Sequence, residues 1–504
     1  MSTPKKAQRF SAFRWTVKLA LLGAAGGSAY FWFERFSGGP HRQSKHLLRQ
    51  YYYNSKDDKF DEKKASPTHG QYDFAVIGGG ILGVTVAAEL RRRFPNRSVA
   101  LVDKEPYVAV HQSSHNSGVI HAGIYDPSDS LKTTLCTKGN KMMYEYCNKH
   151  KLPVKRCGKL VVAVTEDEIP KLKEVFDKAK ANGAEGVRLI EGEEEIKKME
   201  PNVKGVMAMH CPSTGIVDFA EVTRHVFKGL QNDKKFTFIP RFQVQAIGTM
   251  PGHTVEDTRV SVLGTEPGQC GPQKLLEARN VITCAGLHMD TISRLAGGAH
   301  HPTIVPFRGR YYELKGAGKN VVKMNVYPVP NTGGIPTGVH WTPTVNVDRG
   351  EQLIIGPGAA FAPHKEGYSL DKISIPDFAN VLFSGASWTF LFSNFGIAAE
   401  AIHQDMSRAA FIADARKLVP NFDEKDVVES YAGVMAQAFG KDGKPLRDFT
   451  FEATHAPDIR SNPNKVKSTA PNVFNVRHAP SPAATSSFAL AEEIVTQAKT
   501  TFAI

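Results

Sequence analysis

The chain has 504 residues, of which 41% are hydrophobic and 22% charged. It is too long for one ordinary domain and apolar enough to bury a large core, which excludes a disordered chain or a single small module. The formal net charge is +13, but residues 1–66 hold 13 Lys/Arg against 5 Asp/Glu. No basic stripe or nucleic-acid module stands in the remainder, so a nucleic-acid-binding protein is excluded.

In residues 1–14 Lys5, Lys6, Arg9 and Arg14 come well before the first acid, Glu34. Residues 15–33 then form a mostly apolar run with Trp15 at one end and Tyr30–Phe33 at the other. The run is close to the roughly 17–25 residues that cross a bilayer, with aromatics at the interfaces. A basic leader followed by one transmembrane helix predicts a mitochondrial inner-membrane protein. A presequence removed after import, leaving no anchor, is the alternative. The sparse cysteines, Cys136, Cys147, Cys157, Cys211, Cys270 and Cys284, form no Cys-x-x-Cys pair and read as free thiols of a reducing compartment. Residues 34–70 read as a flexible linker, polar and without an apolar period, and folded protein is expected to begin near Tyr72.

Residues 71–160 read as the first part of a dinucleotide-binding domain. Asp73–Ile77 is a short buried strand, GGGILG follows, and Val86, Ala87 and Leu90 recur at helical spacing. Gly78 allows the tight turn, Gly80 lets the backbone approach a pyrophosphate, and Gly83 lets helix and sheet pack closely. Free amides at the helix start suit phosphate. Asp103, at the end of the next strand, suits the adenosine ribose and disfavours a 2′-phosphate. This fingerprint does not choose between FAD and NAD.

Residues 111–125, HQSSHNSGVIHAGIY, form a polar loop able to reach the reactive end of a cofactor through Ser114, Asn116 and Ser117. A helix is expected over 131–150 and a strand over 160–164. Residues 161–210 read as the first part of a substrate domain, with surface helices near 169–181 and 192–200. Residues 211–300 return to the cofactor domain, with a helix begun by Asp218, strands at 236–239 and 241–247, a hairpin or insert over 250–275, and a strand over 281–286. Alternating patterns over 301–385 predict an antiparallel substrate face carrying Arg308, Arg310 and His340. Residues 386–495 hold two helical runs within 387–419, whose outer faces either pack on the core or meet a bilayer or quinone. Pro480 and Pro482 then stop a strand, and Ala483 and Ala484 lead into a helix capped by Thr485 or Ser486.

HNSGVIH and APSPAATSS are the most specific stretches. With CGKLVVAV (157–164), CPSTGIVD (211–218), VITCAGLHMD (281–290), IVPFRGRYYEL (304–314) and VYPVP (326–330), they resemble the L-2-hydroxyglutarate dehydrogenases. That family lies within the D-amino-acid-oxidase-like and glycerol-3-phosphate-dehydrogenase-like FAD oxidoreductases, and the resemblance spans roughly residues 71–495. It implies an α/β chain with a Rossmann-type FAD-binding domain interleaved with a mixed or antiparallel-sheet substrate domain. It implies oxidation of L-2-hydroxyglutarate, a small dicarboxylate 2-hydroxy acid, to 2-oxoglutarate, with electrons passed to a membrane quinone or similar acceptor. It also implies that Gly286 approaches the cofactor, and it supports cofactor contacts at Pro482–Thr485.

Such chemistry needs a base for the hydroxyl proton and cations for two carboxylates. His121 and His115 are the first candidates for base and orienting group, and His340 the third. Each histidine has a purely backbone- or cofactor-contacting alternative. Arg308 and Arg310, two apart on a strand, are candidates for gripping carboxylate, although one of them suits a surface acid equally well. Arg477 is a candidate cofactor or substrate contact. No metal-ligand pattern is found. One departure stands out: where the family pattern resembles GPAGVRAQ, this chain has Ser430–Gln437 with Met435 at the arginine's place, a position of either structural or substrate-binding importance. A relative acting on glycerol-3-phosphate, malate or an amino acid, and a non-catalytic membrane-tethered flavoprotein, are the competing expectations.

Overall fold

A computed structural model describes residues 39–53, 67–250, 258–269, 271, 274–330, 338–358, 360–369, 374, 407–458 and 470–504. The expected leader and transmembrane run, residues 251–257 of the expected hairpin or insert, and residues 387–406 of the two expected helical runs lie outside the described residues. Among those described, no helix is long and apolar enough to cross a membrane.

In chain order the described residues form helix α1 (Gly39–Tyr52), strand β1 (Gln71–Ile77), helix α2 (Ile81–Arg93), strands β2 (Val99–Val102) and β3 (Val119–Ile120), and helix α3 (Leu131–His150). Next come β4 (Val154–Lys155), β5 (Lys159–Ala163), α4 (Ile169–Ala181), β6 (Arg188–Glu191), α5 (Glu193–Met199), β7 (Met207–Cys211) and β8 (Gly215–Val217). Helix α6 (Phe219–Gln231), β9 (Phe236–Ile239), β10 (Gln243–Met250), β11 (Arg259–Thr265), β12 (Lys274–Thr283) and α7 (Met289–Leu295) follow. The chain then makes β13 (Thr303–Leu314), β14 (Asn325–Pro328), β15 (His340–Asn346), β16 (Gly350–Gly356) and β17 (Ala360–Phe361). It ends in α8 (Arg408–Leu418), β18 (Val427–Phe439), β19 (Thr450–Thr454), β20 (Val473–His478) and α9 (Ala483–Phe502).

Two large sheets organise these elements. In the first, β9, β2, β1 and β12 run parallel in that order, and β20 continues the parallel set beside the last residues of β12. The first half of β12 instead pairs antiparallel with β11, which pairs with β10. Parallel strands need both faces covered, and the sequence supplies apolar runs such as Val99–Val102, buried throughout. Helix α2 lies on one face with Val84, Val86, Ala87 and Leu90 buried, beside Leu490, Ile494 and Val495 of α9. Its Arg91–Arg93 end complements the helix dipole. This is a Rossmann-type fold.

The second sheet is mixed. Strands β13, β16, β15 and β14 pair antiparallel, β14 pairs parallel with β5, and β18 lies along the whole of β13. A small third sheet joins β3, β8 and β4, fixing the loop after β2 to the start of the segment that contains α6.

Two expectations need correction. Residues 39–52, read as linker, form α1. Ser44, Leu48 and Tyr52 recur every four residues on one side of the helix and are all 0% exposed. Leu48 and Tyr52 pack on Ala246, Leu263 and Leu275, and the Tyr52 hydroxyl lies 3.0 Å from Ser261 Oγ. The stripe is narrow and surrounded by Lys, Arg and His, which hid it. The cap of α9 also differs: Pro482 occupies the N-cap without a side-chain bond, and Thr485 and Ser486 lie inside the first turn. Helices α3 and α9 cross closely at Gly139, where a Cβ would sit 2.6 Å from the Ser486 Cα.

Candidate active site

The turn between β1 and α2 is built so that only glycine fits. Gly78 has φ +116°, and a Cβ there would lie 2.3 Å from the Cys284 carbonyl oxygen at the end of β12. A Cβ at Gly83 would lie 1.8 Å from the Gly78 oxygen. Gly80 caps α2 without a side chain, and the Ile81 amide donates to Ser113 Oγ at 2.9 Å. Asp103, at the carboxyl end of β2, accepts the amides of Gly79 and Glu105. Burial raises its pKa, with those two amides opposing. Open amides, glycines that admit a close backbone and a carboxylate one strand over fit the adenosine and pyrophosphate of a dinucleotide. Gly286, with φ +54°, adjoins this turn from the β12 side and would place a Cβ 2.9 Å from Gln112 Oε1.

The loop from 111 to 121 is stiffened by its own side chains. Asn116 Nδ2 donates to the carbonyls of Gln112 and Ser113, its Oδ1 accepts the Gly118 amide, and Ser114 Oγ donates to Val110 and His111. These contacts make Ser114 and Asn116 loop-shaping residues. The Ser117 hydroxyl lies near the phenols of Tyr311 and Tyr327. His115 donates from Nδ1 to the His111 carbonyl, and its ring lies 4.4 Å from that of Tyr368. Burial lowers its pKa.

His121 lies further in. Its amide donates to Thr485 Oγ1 at 3.1 Å, and Thr485 Oγ1 donates in turn to the Val119 carbonyl. Its own carbonyl accepts Asn140 Nδ2 at 2.8 Å. Backbone bonds to α9 and α3 thus hold the residue while its ring faces the interior. Burial holds its pKa well below the ordinary histidine value, with Lys159 and His340 adding to the effect. The His340 ring stacks on Tyr327 at 3.9 Å, and its Nδ1 donates to the Gly338 carbonyl, which leaves Nε2 as the acceptor. Burial pushes His340 down to about 3. Both residues are half-buried. The charge of a protonated His340 would be felt at His121, so the two belong to one neighbourhood. His115 does not; its neighbours are Tyr368 and Tyr431.

Residues 73–497 match the family described as FAD dependent oxidoreductase, DAO. The chain belongs to this family. Among its relatives, L-2-hydroxyglutarate dehydrogenase of Bos taurus is 36% identical over 441 residues, covering 86% of this chain and 89% of the relative. The Caenorhabditis elegans enzyme of the same name is 37% identical over 431 residues, covering 85% and 93%. By fold, the chain resembles the FAD-bound L-α-glycerophosphate oxidase of Mycoplasma pneumoniae, with TM-score 0.65, 20% identity and 85% and 95% of the two chains covered. Glycine oxidase of Geobacillus kaustophilus gives TM-score 0.56 at 16% identity, covering 85% and 94%.

In this FAD-dependent oxidoreductase Arg310 takes the surface-acid alternative and Arg477 engages protein groups. Arg310 pairs with the exposed Glu429 at 3.5 Å and donates to the Tyr312 hydroxyl. Arg308 is buried opposite Val434 of β18 and so shares the face of Val434 and Ala436, which belong to the main core. Arg477 is 1% exposed and its guanidinium is engaged by Glu452 and by the carbonyls of Ala299 and Pro302, a latch between β20, β19 and the segment before β13. Met435, opposite Phe307, lies on the other face of β18 with Gly433, where a Cβ would meet the His115 carbonyl at 2.6 Å. The position of the expected arginine thus belongs to the histidine-loop side.

Three groups escaped sequence reading. Ser113 meets the first amide of α2; it stood in the quoted loop but one residue before those singled out. Glu105, His111 and Glu366 converge closely enough for metal ligands. The Lys104 ammonium, however, lies 2.6 Å from Glu105 and 2.8 Å from Glu366, so the cluster reads as an ion network. Lys159, the first residue of β5, lies buried with its ammonium over the Tyr327 ring on which His340 stacks.

Proposed function

We propose that this oxidoreductase converts L-2-hydroxyglutarate to 2-oxoglutarate and passes the electrons to a membrane quinone or comparable acceptor. The observation that carries the reading is the full-length likeness to L-2-hydroxyglutarate dehydrogenases, 36% identity across 86% of this chain in the bovine case. In this reading the first sheet and its helices hold FAD, and the second sheet faces the substrate. Gly78, Gly80, Gly83 and Asp103 hold the adenosine and pyrophosphate. Ser114, Asn116, Ser117 and Gly286 shape the wall near the flavin, as do Pro482, Ala483, Ala484 and Thr485.

Bound FAD supplies the acceptor for the hydride that leaves C2. The chain supplies the proton path. The C2 hydroxyl proton passes to the ring of His121, which burial keeps neutral and so free to accept it at physiological pH. His340, whose Nε2 is likewise an accepting nitrogen, is the second group able to take that proton. Loss of one hydride and one proton gives the ketone. Residues 15–33 serve as the anchor in the mitochondrial inner membrane.

Anaerobic addition of L-2-hydroxyglutarate to the yellow protein is expected to bleach the flavin, whereas D-2-hydroxyglutarate and L-malate act poorly. Bleaching by glycerol-3-phosphate or malate alone would overturn the substrate assignment. Carbonate-washed mitochondria are expected to keep the protein in the membrane pellet, and complete release would remove the anchor.

A further inference from the structure

Among the described residues two lysines are almost completely buried, and their surroundings differ. Lys365 is 3% exposed and meets Asp290 Oδ1 at 2.5 Å. That is the usual arrangement, because a buried ammonium is costly unless paired. Lys159 is 1% exposed, and no carboxylate of the described residues pairs with it. Its ammonium instead sits 3.8 Å from the ring centroid of Tyr327 and 5.2 Å from that of Tyr125. Cation–π contact offsets part of the desolvation but supplies no counter-charge. The acidic groups nearest in effect are the thiols of Cys211, Cys136 and Cys157. Burial pushes Cys136 up to about 12 and Cys157 to about 11, so both stay protonated.

The place of this cation is as telling as its isolation. It starts β5, where register fixes it between Cys211 of β7 and Asn325 of β14. Tyr327, two residues along β14, carries the ammonium on its ring and stacks on His340. His121 and His340 both feel the charge of Lys159. The Tyr327 ring thus joins the two groups, with the buried ammonium over one face and the neutral His340 imidazole stacked on the other. The arginines that looked suited to an anion are turned elsewhere, Arg310 to Glu429 and Arg477 to Glu452.

We propose that Lys159 is the carboxylate-binding residue of the active-site cleft, its ammonium serving as the docking point for a carboxylate of the substrate. The inference rests on the reading above that the substrate is a hydroxy dicarboxylate, and it adds the residue that recognises the acid. A lysine suits the task because a compact ammonium makes a point contact and leaves the two histidines free for the hydroxyl. Burial lowers its pKa to about 8, so the empty cleft holds a cation at neutral pH and loses it in mild alkali.

The test uses FAD-loaded protein and glutarate, which has both carboxylates but no hydroxyl to oxidise, titrated by calorimetry. Lys159→Met is expected to weaken glutarate binding at least tenfold while FAD content and melting temperature stay near wild type, and Lys159→Arg to retain most of the affinity. Binding of glutarate to folded, FAD-loaded Lys159→Met within twofold of wild type overturns the proposal. Should Lys159→Met fail to fold, the wild-type pH profile decides. Affinity is expected to be level below about pH 8 and to fall about tenfold per pH unit above it. A profile flat to about pH 10 overturns the proposal. The other groups facing the ammonium are His121 from the loop after β3, His340 from β15, Tyr125, Tyr327 of β14, and the three thiols. A wild-type protein that ignores glutarate but binds a monocarboxylate would remove the dicarboxylate reading alone. Lys159→Met would then be compared with wild type on that acid, with the same two outcomes for Lys159.

Discussion

His121 is held by its backbone, through Thr485 and Asn140, so its side chain is replaceable without dismantling the loop. His121→Ala is expected to lower kcat by roughly 10²–10⁴, the usual worth of a positioned proton acceptor, with FAD occupancy unchanged. Rapid-reaction kinetics beside a flavin-to-protein absorbance ratio would show it, and full activity would remove His121 as the base. Gly78→Ala is expected to act in the opposite sense. The Cβ would strike the Cys284 carbonyl in a backbone conformation that alanine avoids, so the protein should emerge depleted of FAD. The neutral histidines also set a pH dependence. Folded His340 titrates near 3 and the unfolded residue near 6.5, so the unfolded chain binds more protons between those values. Stability is therefore expected to fall as pH drops below about 6.5, and His340→Asn to flatten that fall in urea titrations at several pH values. Lys159 shows why part of the site stayed hidden in the sequence. It stands at the edge of a plainly apolar run, where a lysine ordinarily extends its head to water. Only the pairing of β5 with β7 and β14, from distant parts of the chain, closes that exit.

At the level of elements, the crossing of α3 and α9 links packing to chemistry. A methyl at Gly139 would press on Ser486 and on the Thr485 carbonyl, and Thr485 is the residue that positions His121. Gly139→Ala is expected to cost about 1–3 kcal/mol and to slow turnover by roughly tenfold or more, with FAD retained. A melting curve together with a kcat measurement separates the two effects, and unchanged kcat would show that the helix start moves without the histidine. Helix α1 offers a test of the corrected linker reading. Leu48→Ala is expected to destabilise the fold by roughly 2–5 kcal/mol, read by thermal unfolding, because Leu48 is fully buried against β10 and β11. A solvent-exposed linker residue would leave the melting temperature unchanged. The elements with strong local signals were legible from sequence, including β1, α2, α3, α4 and the Asp218-capped α6. The cap of α9 was not: Thr485 and Ser486 have the chemistry of capping residues, yet tertiary contacts direct the Thr485 hydroxyl to β3.

Across the whole molecule, the cofactor sheet is assembled from β1 and β2, from β9–β12, and from β19 and β20. The intervening chain builds the other sheet. Strand β12 joins both arrangements, pairing with β11 along its first half and with β20 along its second. Such interleaving follows from the order of apolar runs and was legible in outline. Which side of β13 and β18 faces the histidine loop was not legible. A single residue of bulge in that pair reverses which side chains look inward. Arg308 and Met435 carry this lesson, one turned to the core and the other toward the loop.

The buried stripe of α1 also constrains how the enzyme sits in the cell. If residues 15–33 cross the bilayer as proposed, the chain has six peptide steps between Phe33 and Gly39, a reach of at most about 20 Å. A helix bolted to the outer strands of the flavin-binding half cannot then act as a loose leash. The catalytic body would ride close to the lipid headgroups in a restricted attitude, and a hydrophobic electron carrier would find it always within the same narrow zone.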